Sequence, residues 1–216
     1  MRKLVYTILW AILIVLLSCK SNIDTQPPAS VGIESGDSVI IIPLESLPDA
    51  VVEEIIIESE PISTDSLLAS IYLSQVGVRE ATGNNDGKEV EMYLRATGLG
   101  KGYAWCAAFV RWGFDSAGVK TTITAWSPTA ENKNNYVLKK GTWEQDLRRG
   151  DVFTLYFPRL KRIGHTGFAH KKFGVKSIQT VEGNTGGLGP DGDREGDGMY
   201  IKLRPVETIH SITRWF

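Results

Sequence analysis

Cysteine is almost missing from this chain. Two occur among 216 residues, Cys19 and Cys106, so a disulfide-stapled scaffold is excluded. A surplus of one charge is missing too. The 24 Lys and Arg stand against 25 Asp and Glu, a formal net charge of −1, so no overall basic excess argues for nucleic acid as a partner. Apolar residues at 42% and charged residues at 23% are ordinary globular values. They exclude a wholly disordered chain, a collagen-like fibre and a polytopic membrane protein. The length allows one domain with appendages, or two very small domains. Glycine is plentiful, with 22 residues gathered mainly in the second half, which predicts turn-rich β structure there.

The first residues read as an address. Arg2 and Lys3 precede Leu4 to Leu17, an apolar run broken only by Thr7. At helical rise the run reaches about 21 Å, short of a ~30 Å hydrocarbon core, and it has the length of a signal-peptide core. It ends in Leu16-Leu17-Ser18-Cys19, which resembles the lipobox of bacterial lipoproteins. The resemblance implies loss of residues 1–18 as a signal peptide and lipidation of Cys19. A secretory signal cleaved nearby, with an incidental cysteine, is the competing reading. Lipidation is preferred because a polar, Pro-containing tether, KSNIDTQPPAS, follows. Cys106 is then the only free thiol.

Charge divides the remainder. Residues 20–60 carry one base and nine acids, whereas residues 61–216 carry 21 bases and 16 acids. An acidic tether over residues 19–62 therefore precedes a mildly basic body over residues 63–216. The tether is partly apolar: VIIIPLESLPDAVVEEIIIE, residues 39–58, predicts short extended pieces, because Pro43 and Pro48 break any long helix.

Along the body, Thr64 or Asp65 can cap a helix with Leu67, Leu68, Ile71 and Val76 on one side. TGNNDG, residues 82–87, reads as a loop. KEVEMYLRATG reads as a second helix with Val90, Tyr93 and Leu94 inward and a stop at Gly98. In WCAAFVRWGFDSAGV the residues Cys106, Phe109, Val110, Gly113, Phe114 and Ala117 form a helical stripe, and Gly113 on it lets the helix lie close to a sheet. Ser127-Pro128 reads as an N-cap with proline at the first helical position, opening a helix to about Leu138. From Gly150 the period changes to two. DVFTLY, HTGFAHKKF, SIQTVEG, MYIKLR and a last run near Thr208–Trp215 read as strands. Helices first and antiparallel strands afterwards predict an α+β domain.

Cys106 starts its helix, where unpaired N–H groups and the positive dipole end favour a thiolate. The same groups can donate to an oxyanion. A buried, inert cysteine on an apolar stripe is the competing reading. The histidines tip the balance. His165 opens a strand, from which a base can lean toward a helix N-terminus, whereas His170 five residues on faces the other side. His210 reads as structural or surface. Glu182 and Asn184 share one strand face and can both point at the site, where a carboxylate or amide would fix the imidazole's tautomer.

Four segments in order, Trp105-Cys106-Ala107-Ala108-Phe109-Val110, Gly150-Asp151-Val152-Phe153, Gly164-His165-Thr166-Gly167 and Glu182-Gly183-Asn184-Thr185, resemble the CHAP family of cysteine amidases and endopeptidases. That family belongs to the papain-like superfamily and cuts peptidoglycan. The resemblance covers roughly Leu67 to Arg204. It implies a papain-like fold, with N-terminal helices packed on a C-terminal antiparallel sheet. It implies Cys106 as nucleophile, His165 as general base, Glu182 as the orienting group and Asn184 as a further polar member of the site. Thr166 departs from the aliphatic residue common after the histidine.

The expectation is a lipid-anchored hydrolase of the bacterial cell envelope, on the periplasmic side of a membrane, cleaving amide bonds in peptidoglycan through an acyl-enzyme. It needs no metal and no cofactor, and it acts as a monomer. Tyr103 is a candidate second oxyanion donor. Trp105, Trp126 and the Asn84-Asn85-Asp86 loop are candidates to line a substrate groove, with core packing the competing reading for both tryptophans. Competing functions are a non-catalytic peptidoglycan-binding module on the same fold, or an amidase acting on another peptide. Asp191-Gly192-Asp193-Arg194-Glu195-Gly196 imitates the start of a calcium loop, but Lys202 falls where the bidentate Glu is required, so a glycine turn is the better reading.

Overall fold

The computed structural model describes residues 30–35, 38–43, 62–186 and 196–216. Cys19, the signal segment and residues 191–195 lie outside the described residues. The chain divides into two compact units, Met1–Pro61 and Ile62–Phe216. In the first, β1 (Ser30–Ser35) and β2 (Ser38–Pro43) pair antiparallel, Ser30 opposite Pro43 and Ser35 opposite Ser38. β2 takes the start of the apolar stretch expected to be extended. β1 falls in residues that read only as tether.

The second unit opens with three helices, α1 (Thr64–Leu73), α2 (Lys88–Arg95) and α3 (Cys106–Ser116). Seven strands follow: β3 (Tyr136–Lys139), β4 (Thr142–Trp143), β5 (Asp151–Phe157), β6 (Arg162–Phe173), β7 (Ser177–Thr185), β8 (Gly198–Pro205) and β9 (Ser211–Thr213). They form one antiparallel sheet in the order β4-β3-β9-β5-β6-β7-β8. The fold is α+β, as helices followed by alternating strands predict.

α3 is the helix that positions chemistry. Its stripe of Cys106, Phe109, Val110, Gly113 and Phe114 is buried. It stops where the Val119 N–H reaches back to the Phe114 carbonyl, with Gly118 between them at φ 72°. That is a left-handed stop that glycine adopts without a Cβ penalty. The stripe packs on Phe168 of β6, whose ring lies 5.5 Å from Phe109, 5.4 Å from Phe114 and 4.7 Å from Tyr72 of α1. Burying one such ring contributes about 1.5–3 kcal/mol. A Cβ on Gly113 would lie 2.9 Å from the Phe168 ring, so the expected close approach of helix to sheet depends on glycine there.

Alternation sends successive residues to opposite faces. Val152 and Phe168 join the helix-side core, while Phe153 and Ala169, each one residue on, join a second apolar cluster with Leu138, Ile178 and Ile212.

Three local expectations are corrected. The α1 stripe is Leu68, Ala69 and Tyr72, while Leu67 and Val76 are exposed: Tyr72 takes the core position because its ring stacks on Phe168. No helix runs from Ser127 to Leu138. Ser127–Ala130 makes one 3-10 turn and Tyr136–Lys139 is β3. The cap and proline signals are satisfied by a single turn, and Val137 and Leu138 gain more by burial beside β9. Finally, His165 does not open β6; it stands fourth in it, after Arg162.

Candidate active site

The site is assembled from the N-terminus of α3 and the strands β6, β7 and β8. His165 Nε2 lies 2.9 Å from Glu182 Oε2, both side chains being fully buried. The carboxylate is gripped from its other side by Arg204 of β8, with Nε 2.8 Å from Oε1 and Nη2 on Oε2. The Thr180 hydroxyl also donates to Oε1. Burial alone would raise the Glu182 pKa. The hydrogen bonds and charges of Arg204 and His165 overcome it and bring the group down to about 2. Glu182 is therefore an anion at neutral pH, and it holds the Nε2–H of the ring.

That leaves Nδ1. It is buried and has no partner in hydrogen-bond geometry among the described residues, yet the neighbouring Cys106 acts on it. Burial pushes the imidazole down; hydrogen bonding and charge from Cys106 and Glu182 outweigh this and hold it up at about 9. Burial likewise pushes the Cys106 thiol up, and His165 first, then Ser127 and the Ala107 N–H, bring it net below its ordinary value. Opposite shifts on two neighbours favour a thiolate–imidazolium pair. Such a pair is looser before substrate binds than in the reacting complex.

Cys106 as a residue is 3% exposed, but its surroundings are not sealed. It lines a cleft of about 290 Å³ together with Leu99, Tyr103, Trp126, Ser127 and Arg162. Tyr103 and Trp126 are 56% and 58% exposed, as suits groove-lining side chains. Both line the same cleft as Cys106.

Two other candidates are not in the groove. Trp105 is fully buried. Its ring stacks on Tyr93 at 5.6 Å and its Nε1 donates to Glu80 at 2.9 Å, because the residue just before α3 faces inward. Asn85 stands in the left-handed region at φ 55°. Its N–H donates to Glu80, its carbonyl accepts from Gly102 N–H, and its Oδ1 accepts from Asn184 Nδ2. It is a tie between loops.

Asn184 does not touch the sulfur or the imidazole. Its Oδ1 accepts the Trp105 N–H at 2.9 Å, and its Nδ2 donates to Asn85 and to the Gly196 carbonyl. It takes φ 56°, a conformation asparagine tolerates better than most residues, and β7 loses its regular register beside it. Asn184 is thus a positioning residue that fixes the backbone at the entrance of α3. Gly183, just before it, lies flat on the indole: a Cβ there would meet the Trp105 ring at 2.4 Å.

His170 faces away from the site, with Nδ1 2.7 Å from the Tyr72 hydroxyl, and His210 lies 3.6 Å from Glu131. Neither takes part in the Glu182–His165 pair. Sequence reasoning missed Ser127 and Arg204. Ser127 was absorbed by its capping signal, and a basic residue closing a strand carries no signal of burial.

No family model and no curated protein matches this sequence. The crystal structure of an NlpC/P60 family protein from Bacillus cereus ATCC 10987 is similar at 10% identity with a TM-score of 0.38, over 89% of this chain and 52% of that one. The chain spans about half the length of that protein.

Proposed function

We propose that this protein is a cysteine-dependent amidase or endopeptidase that cleaves peptidoglycan. The observation that carries the reading is the buried Glu182–His165 pair together with Cys106, whose thiol His165 holds below its ordinary value and which lines an open cleft. The four-segment resemblance to CHAP enzymes supports the substrate class.

An amide resists direct hydrolysis, and thiolate attack divides the reaction into two easier steps. The Cys106 sulfur forms a bond to the carbonyl carbon and the π pair moves onto oxygen. Helix N–H groups at the start of α3 stabilise that charge. As the C–N bond breaks, imidazolium Nδ1–H gives its proton to the leaving amine. Neutral His165 then takes a proton from water, which releases the acyl group from sulfur. Glu182 stays ionised throughout and balances the imidazolium. The proton on Nδ1 is lost above about pH 9, so kcat/KM measured against pH falls on that side.

Tyr103 and Trp126 flank the cleft, and Tyr103 can offer its hydroxyl to the oxyanion. The catalytic unit acts as a monomer on the bacterial cell envelope, held by lipid on Cys19. Digestion of purified sacculi with wild type and with Cys106→Ala, read by mass spectrometry of the fragments, tests substrate and mechanism together. Fragments released by wild type alone are expected. Equal release by both proteins ends the cysteine mechanism, and release by neither leaves the binding-module reading in its place.

A further inference from the structure

We propose that Ser127 is a further catalytic residue, its hydroxyl a built-in donor to the Cys106 sulfur that holds the thiolate ready before substrate arrives. This rests on the reading of Cys106 as nucleophile. Ser127 Oγ lies 3.5 Å from Sγ, inside the cleft that both residues line. The side chain is buried, and the sulfur is its one hydrogen-bond partner among the described residues.

The turn that carries Ser127 is organised to present it. Thr129 Oγ1 donates to the Trp126 carbonyl at 2.7 Å and accepts the Thr124 N–H at 2.9 Å. Thr124 Oγ1 in turn accepts the Trp126 N–H at 3.2 Å. Pro128 fixes its own φ in the same turn. Two threonines thus pin the N–H and the carbonyl of Trp126, the residue before Ser127. The result is a division of labour between neighbours: Trp126 points out to the groove, 58% exposed, and Ser127 points in, 7% exposed.

A buried thiolate needs donors, because burial raises its energy. The charge of His165 and the Ala107 N–H offset part of that cost. Ser127 adds a hydroxyl donor 3.5 Å from the sulfur. When sulfur attacks, its charge passes to the carbonyl oxygen and the Ser127 O–H keeps its own proton. The hydroxyl therefore readies the nucleophile and does not shuttle a proton.

The test is the pH dependence of Cys106 alkylation by iodoacetamide in the full chain, read on the Cys106 peptide by mass spectrometry. Wild type is expected to inflect well below the ordinary thiol range of about 8.5. Ser127→Ala is expected to move the inflection up by about one pH unit, which is about tenfold less thiolate below it. Thr129→Val, which unties the turn but keeps the hydroxyl, is expected to move it in the same direction by less. A spacer role would change neither inflection. An unshifted inflection in Ser127→Ala, with wild type low, overturns the role of Ser127 and leaves the cysteine mechanism standing. A wild-type inflection at or above the ordinary range overturns both.

Discussion

Among the described residues of the body, two carboxylates are fully buried, each clamped by an arginine from the C-terminal part of the chain. Asp151 opens β5 and is held by Arg214, with Nε 2.8 Å from Oδ1 and Nη2 2.9 Å from Oδ2. The Arg148 N–H takes Oδ2 as well. Glu182 is held by Arg204 in the same two-pronged manner. The difference lies in the remaining partners. For Asp151 it is a backbone amide, which cannot change charge. For Glu182 they are the Thr180 hydroxyl and an imidazole whose titration is coupled to Cys106. Burial and charge pairing are thus common to both clamps. What separates them is a titratable group coupled to a thiol.

The sharpest break in this comparison is His165→Ala. It keeps the Glu182–Arg204 pair, so the fold is retained, while hydrolysis falls by about 10³–10⁴. Loss of folding in circular dichroism, in place of loss of rate, would make the two clamps equivalent. Next comes Arg214→Met, which strands the buried Asp151 charge and is expected to cost about 3–5 kcal/mol in urea unfolding. The Cys106 alkylation inflection of the folded protein should not move. Arg204→Met should destabilise similarly and move that inflection as well, because Glu182 then loses the partner that keeps it ionised.

Acid unfolding sharpens the comparison further. The Glu182 pKa is depressed in the fold, to about 2 from an ordinary 4.5. Its stabilising contribution is therefore complete above pH 4.5 and disappears as pH falls toward 2. That contribution is on the order of 3 kcal/mol, and Glu182→Gln should flatten this part of the stability–pH curve. The smallest effect is expected for Trp126→Ala. Its exposed ring adds groove contact only, so KM should rise about three- to tenfold with unfolding unchanged within about 0.5 kcal/mol.

How much of this was legible depends on whether a signal was local. The α3 stripe and the alternation in β5 to β8 are period signals, and they place Cys106 on a helix and His165 and Glu182 on strands, as the structure has them. Ser127 was hidden because Ser before Pro means a helix cap in isolation, and only the folded turn shows its hydroxyl aimed at sulfur 21 residues away. Arg204 was hidden because its partner lies across a strand pairing in which Ile178 stands opposite it, not Glu182. Trp105 was ambiguous for a different reason. Its place beside the nucleophile suits both a groove and a core, and the inward turn before α3 decides for the core.

Gly183 carries a consequence of its own. The strand bearing the acid is laid against the indole that immediately precedes the reactive sulfur, with no room for a methyl between them. The approach of β7 to the residue before Cys106 is therefore set by contact with one aromatic ring. Any side chain at residue 183 would act as a shim, prising β7 away from the mouth of α3 and pulling both the Glu182 and Asn184 contacts out of alignment at once.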